Sequence, residues 1–289
     1  MPGIFTTQPD SLHGVRVAEN LYLRNDWRDT MNLRIAQSLL GPKKYIYSDN
    51  DFIFAGEVVE AITGMTLDEY VKKTFYEPLG MTSAGFLPRE RFPLARIAPT
   101  ALEPTFRHQL LRGDVHDPGS AMFGGVAGHA GLFSDAYDLA ILEQMLLDGG
   151  AFNGRTYLKN STIEYFTAYH SDISRRGLGF DKPEKDNLHP PSGHQPYPCL
   201  SASPETFGHT GFTGTCVWVD PKYNLIFIFL SNRVNPVENN PKLSALNIRG
   251  RIQETVYQAM GIDAGANTKT PAPPEKKRKR KKRHSSQAG

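Results

Sequence analysis

Three short stretches hold the residue types that acid–base and acyl chemistry require. In "YIYSDNDFIF", Tyr47, Ser48 and Asp49 place a phenol, a hydroxyl and a carboxylate between apolar residues, just ahead of a helical pattern. A positioned phenol can trade protons, while Ser and Asp at a helix start accept from its free N–H groups and favour its dipole. On spacing alone, a helix cap accounts for the triplet. In "FGHTGFTGT", His209, Thr210 and Gly211 fall on a short edge-like strand, and Gly211 and Gly214 let a ligand approach the backbone. Such a strand can grip a carboxylate or acyl group, and a backbone N–H just past it can serve an oxyanion. In "GDVHDPGSAMFGGVAGHAGLFS", Gly119, Gly124, Gly125, Gly128 and Gly131 crowd around His129. No Lys-Ser/Thr follows, which argues against a phosphate loop and for a densely packed, glycine-turned cleft wall. His116, His129 and His209 fit no metal spacing such as H-E-x-x-H, so His116 and His129 are expected as packed structural residues, with no metal or cofactor. Cys199 and Cys216 match neither a disulfide framework nor a metal motif, and two idle thiols are expected.

The elements that must position these residues carry clear local signals. After Asp49, Phe52, Ala55, Val58, Val59 and Ile62 share one helical face, and Gly64 stops the helix. Thr66 and Glu69 form a capping-box pattern for a helix that Pro78 should end. Ser134-Asp135 precedes a helix over about 136–147, closed by Gly149-Gly150, and Ser161 with Glu164 suggests a short helix ending near Ala168. At the C-terminus, Ala245, Ile248, Ile252, Val256 and Met260 make one stripe of a helix over 241–260. "TCVWV" and "LIFIFLSN" flank the turn-rich "DPKYN" as a hairpin, with "TFGHTG" as a third antiparallel strand beside it. The second hairpin strand is apolar at successive positions and is expected to be covered on both faces. The polar stretch 181–198 reads as a surface loop. An α+β class follows, an antiparallel sheet flanked by helices, although three strands with one hydrophobic face lack partners.

The chain has 289 residues and a formal net charge of +3. The charge is uneven: the segment from Glu275 holds eight basic residues against one acid, which leaves the rest at −4. The run 276–283 can meet polyanions through phosphate contacts, but no specific nucleic-acid partner is expected, and the tail 263–289 reads as disordered. No apolar run reaches the ~20 residues of a membrane span, and no signal peptide pattern opens the chain.

Taken in order, "YSD", "GGVAGHAGLFS" and "HTG" followed by "VWVDPKYNLIFIFLSN" resemble the serine β-lactamase and penicillin-binding-protein-like hydrolases. These are relatives of class C β-lactamases, D-Ala-D-Ala carboxypeptidases and esterases. "KKYIYSDNDFIF", "FYEPLGM", "RFPLARIAPT", "HDPGSAMFGGVAGHAGLF" and "FGHTGFTGTCVWVDP" look most like the β-lactamase-like domain fused behind a family-3 glycoside hydrolase (β-N-acetylhexosaminidase) in Bacteroidetes-type proteins. In that family a Ser-x-x-Lys, a Tyr motif and a Lys/His-Thr/Ser-Gly strand share one cleft.

The resemblance implies a β-lactamase/transpeptidase-like fold over 16–262, after an irregular segment 1–15. It makes Tyr47 the general base and later acid, puts Asp49 where Asn is usual, and casts His209 as the head of the strand motif. Ser48, Thr210 and Gly211 would bind substrate, and the Phe212 N–H would be an oxyanion donor. The implied substrate is a small molecule or a peptidoglycan peptide, the implied setting the cell envelope, and an upstream glycoside hydrolase module the implied neighbour. No serine in the chain has Lys three residues on. The chain is therefore expected to be N-terminally truncated and catalytically incomplete alone, with a non-catalytic cell-wall-ligand binding module as the rival reading. Asp49 in place of Asn, and His209 in place of Lys, are expected to weaken carboxylate binding and to favour esterase or peptidase action over β-lactamase action.

Overall fold

The alternation and apolar runs of the C-terminal half become an antiparallel sheet centred on Cys216–Asp220. That strand pairs with Leu225–Phe229 on one side and Phe207–Thr210 on the other. The hairpin closes through the turn Pro221–Tyr223, where Asp220 accepts from the Lys222 N–H at 3.2 Å and Asn224 turns left-handed. A second sheet orders Phe5–Thr6, Leu21–Leu23 and Val15–Ala18, all antiparallel. With the helices around them, these make an α+β fold; the computed structural model describes residues 3–190 and 192–264. The basic run 276–283 lies outside the described residues.

The helix signals hold in position more often than in capping detail. Asn50–Thr63 ends at Gly64 (φ 68°), and Ala136–Leu147 starts where the Asp135 side chain accepts from the Asp138 N–H at 2.9 Å. The Thr66–Glu69 box does not form. Glu60, reaching from the preceding helix, takes the Leu67 N–H at 2.9 Å instead. That segment also runs on past Pro78, through a π-helical turn over Lys72–Tyr76 and a last turn Glu77–Leu79, to end at Gly80 (φ 79°). Pro78 sits in a first turn, where its missing N–H costs nothing. In Asn160–Thr167, likewise, no side chain caps the N-terminus.

Three further expectations are corrected by packing. The C-terminal helix breaks into Lys242–Ala245 and Ile248–Ala259 at Asn247 (φ 46°). Its buried residues are Gly250, Gln253 and Tyr257, whereas Ala245, Ile252 and Met260 are exposed. The strand expected over 225–232 stops at Phe229, buries only Phe227 and is the sheet edge among the described residues. It is held by the Ala136–Leu147 helix and by Val256. The stretch 181–198 is not wholly a surface loop: Asp181 and Lys182 are buried, and Asp181 pairs with Gly208 at the sheet edge. The segment 1–15 also contains the strand Phe5–Thr6, too short for any periodicity to announce. Under that sheet Val17, Leu23, Val115 and Ala121 form a core, in which full burial of Leu23 contributes roughly 2 kcal/mol.

Candidate active site

The helix Asn50–Thr63 begins because Ser48 Oγ accepts the Asn50 N–H (3.2 Å) and the Asp49 carbonyl accepts from Phe52 and Ile53 (both 3.0 Å). The Asp49 carboxylate makes no capping bond and stays exposed, so the triplet divides its labour: Ser48 caps, and Tyr47 and Asp49 face outward. The glycine-rich segment crosses this helix at Gly128. A Cβ there would stand 2.1 Å from the Phe52 carbonyl oxygen, so only glycine permits the approach. Behind the crossing, Asp117 accepts from the Ser120 N–H (2.7 Å) and pairs with His129 Nε2 (2.8 Å), while Ser120 Oγ donates to the Ala130 carbonyl (2.8 Å). His129 thereby serves packing.

The opposite wall is the strand Phe207–Thr210. Its outer edge is clamped by Asp181, whose N–H donates to the Gly208 carbonyl (2.7 Å) and whose carbonyl accepts from Gly208 (3.1 Å). Past the strand, Gly211 N–H donates to the Thr215 carbonyl at 2.8 Å, which turns the chain sharply at Phe212. The exposed Phe212 ring lies between the Arg233 guanidinium (4.6 Å) and the His116 ring (5.4 Å). His116 is held there by Arg107, which donates to the Val115 and His116 carbonyls.

Tyr47 and His209, 162 positions apart, meet with their ring centroids 6.3 Å apart and planes inclined by 28°. A residue that sequence reasoning missed joins them. The Arg176 guanidinium lies 4.7 Å over the Tyr47 ring, and its Nη1 stands 2.7 Å from His209 Nε2. Arginine can only donate, so His209 Nε2 must accept and the ring proton belongs on Nδ1, which faces the Thr210 carbonyl at 2.7 Å. His209 is therefore neutral. Burial above all, with the Arg176 charge, holds its pKa below the ordinary histidine value, against the pull of the Thr210 carbonyl. Burial pushes the Tyr47 phenol up, partly opposed by Arg176, and the Asp49 charge adds to the rise.

Arg176 came from "SRRGLGFDK", which has no periodicity and no motif spacing; two adjacent arginines five residues before an Asp in a glycine-turned loop were the only signal. The structure thus gathers Tyr47, Arg176, His209 and Thr210. It leaves Phe212 at the end of the same wall, and Ser48 and Asp49 beside Tyr47. Chemically, such a cluster offers a cation for a carboxylate, a phenol for proton transfer and a backbone turn for an oxyanion.

A family model described as Beta-lactamase matches residues 24–249. A protein of Salmonella enteritidis PT4 named "Putative D-alanyl-D-alanine carboxypeptidase" is 37% identical over 213 residues, covering 70% of this chain and 48% of that protein. A Salmonella typhi protein of the same name is 38% identical over the same coverage. The chain spans about half the length of the curated relatives it matches. Among solved structures, a simvastatin synthase from Aspergillus terreus superposes with a TM-score of 0.54 at 18% identity, over 81% of this chain and 63% of that one. An octameric penicillin-binding protein homologue from Pyrococcus abyssi does so with a TM-score of 0.52 at 17% identity, over 82% and 48%. These two are alike in fold.

Proposed function

Since the chain belongs to the beta-lactamase family, we propose that it forms the Tyr and strand walls of a serine hydrolase that cleaves amide or ester bonds through an acyl-enzyme. The preferred substrate in this reading is a peptide with a free carboxylate, such as a peptidoglycan stem, in the cell envelope. The observation that carries it is Arg176, set between Tyr47 and His209. Replacement of a strand-motif Lys by His was expected to weaken carboxylate binding. Arg176 supplies the permanent charge from another element, and its fork suits a carboxylate.

Each group then has one task. Tyr47 passes its phenolic proton to the lysine of the Ser-x-x-Lys as it takes that of the attacking hydroxyl, and later relays a proton to the leaving group. Thr210 and Gly211 hold the acyl segment, the Phe212 N–H meets the oxyanion, and Ser48 and Asp49 flank the phenol. In the free chain, neutral His209 holds Arg176 in place and carries no charge of its own. The nucleophile must come from a Ser-x-x-Lys, and none occurs in these 289 residues. The same reading places that motif, and a glycoside hydrolase module before it, upstream of this chain. The missing motif also favours a second reading, a non-catalytic module that binds cell-wall ligands.

Fluorophosphonate labelling followed by mass spectrometry separates the two. The chain alone should take no adduct. A protein extended by the preceding reading frame should take one on the serine of a Ser-x-x-Lys, and Tyr47→Phe in it should slow acylation by about 10²-fold or more. No adduct on the extended protein would leave the binding module standing, and an adduct on a serine of the short chain would overturn the assignment of the nucleophile.

A further inference from the structure

Arg176 has two arms, and they lie on different partners. Its Nη1 meets His209 Nε2 at 2.7 Å, and its Nη2 reaches Asp181 Oδ2 at 3.4 Å. Asp181 is 1% exposed and already well served. Arg175 donates to both of its oxygens (2.9 and 3.1 Å), and the Tyr197 hydroxyl donates to Oδ2 at 2.8 Å. Arg175 is itself fixed over the Tyr197 ring at 4.1 Å and to Glu184 at 2.9 Å, and Tyr197 rests edge-on against Trp218. The Asp181 carboxylate at the centre of this cluster is thus saturated by its own partners. Arg176 therefore keeps most of its charge for the cleft, where its strong contact is with a neutral acceptor. A guanidinium bonded to an imidazole lone pair is a weaker pair than a guanidinium on a carboxylate.

We infer that His209 is a parking acceptor for Arg176, and that a ligand carboxylate draws the Nη1 arm away so that the freed His209 Nε2 binds a proton. The inference rests on the reading of Arg176 as the partner of the substrate carboxylate. The Nη2 arm stays near Asp181, so the guanidinium pivots without leaving the wall. The groups facing His209 support the exchange. Arg176 and Arg175 oppose its protonation, Asp181 favours it, the Tyr47 phenol is uncharged, and the Thr210 carbonyl keeps the Nδ1 proton. An incoming anion offsets both arginines at once and gains a second cation in His209. The complex binds one more proton than the free chain, so carboxylate affinity must rise as pH falls and decline as pH rises through the His209 midpoint in the complex.

The test uses the full 289-residue chain with N-acetyl-D-alanine as the probe, and needs no turnover. Calorimetry in buffers of different ionisation enthalpy should show uptake approaching one proton per ligand at about pH 6.5, near the ordinary histidine value. Affinity should fall by up to tenfold per pH unit between the His209 midpoint of the free chain and that of the complex, the limit set by one linked proton, and level off above the latter. Nitrogen-15 spectra should show His209 as the Nδ1–H tautomer in the free chain and doubly protonated in the complex. His209→Asn should bind the probe with no proton uptake. Arg176→Gln should bind it at least tenfold more weakly, and its His209 should titrate closer to the ordinary histidine value without ligand. Binding without proton uptake, or an unchanged His209 tautomer in the complex, overturns the exchange while leaving Arg176 as the carboxylate partner. Failure of the probe to bind overturns both, whereas the fluorophosphonate experiment judges the acyl-enzyme reading separately.

Discussion

Replacing Glu103 by Gln should both destabilise the protein and remove much of its sensitivity to acid. Glu103 ends the strand Ala101–Glu103 and is 5% exposed. Burial pushes its carboxyl up, but the Thr105 hydroxyl (2.5 Å) and the backbone N–H groups of Arg107, Thr105 and Phe106 outweigh that and bring it to about 2. The folded value lies below the ordinary glutamate value of 4.5, so this stabilisation is complete above about pH 4.5 and is lost as pH falls towards 2. The drop converts to about 3 kcal/mol. An amide of the same shape presents an NH₂ where an acceptor is needed, so Glu103→Gln should lose about that much at neutral pH. The loss should also travel. Arg107, whose side chain is fully buried beside Glu103, would be left without its carboxylate, and the Val115 and His116 carbonyls it holds would loosen beneath Phe212. Urea unfolding of both proteins across this range provides the assay, with the His116 and Phe212 resonances as the local readout. A variant within about 0.5 kcal/mol of the parent at neutral pH, or a gap that does not close towards pH 2, would refute the account.

Two further outcomes follow from close packing. Gly128→Ala must drive the glycine-rich segment off the Asn50–Thr63 helix, since its Cβ would meet the Phe52 carbonyl at 2.1 Å. It should cost at least about 1–3 kcal/mol in thermal or urea unfolding. Cys199 and Cys216 are buried, and burial raises both thiols, Cys216 to about 11. Iodoacetamide at about pH 8 should therefore label neither in the native chain and both after unfolding in guanidinium; prompt native labelling would contradict this packing.

Much of the scaffold was legible in local spacing. Periodicity placed Asn50–Thr63, cap and stop residues placed Ala136–Leu147, apolar runs and turn residues placed the hairpin, and glycine marked the helix end at Gly64, where φ turns positive. These features are decided within a few residues, by hydrogen bonds and steric limits that composition reveals. The two halves of the candidate site, Tyr47 and His209, were legible for the same reason: each sits in a short stretch with unusual chemistry.

What joins them was not. Arg176 is 129 positions from Tyr47 and 33 from His209, in a loop whose residues obey no period. Its place is decided by the pairing of Asp181 with Gly208 and by the Arg175–Tyr197 cluster behind. Caps showed the same limit, since Glu60 displaced the local Thr66–Glu69 box once the preceding helix brought it into reach. At the C-terminal helix, the apolar stripe pointed to Ile252 and Met260, but packing chose Gly250, Gln253 and Tyr257, with the Tyr257 hydroxyl joining Ser203 and Lys222 on buried Asp220, at 2.7 Å. A sequence determines which segments order themselves and which bear reactive groups. Which charge faces which partner depends on the distances that only the assembled chain creates, and in this protein that decided both the charge of the cleft and the protonation of His209.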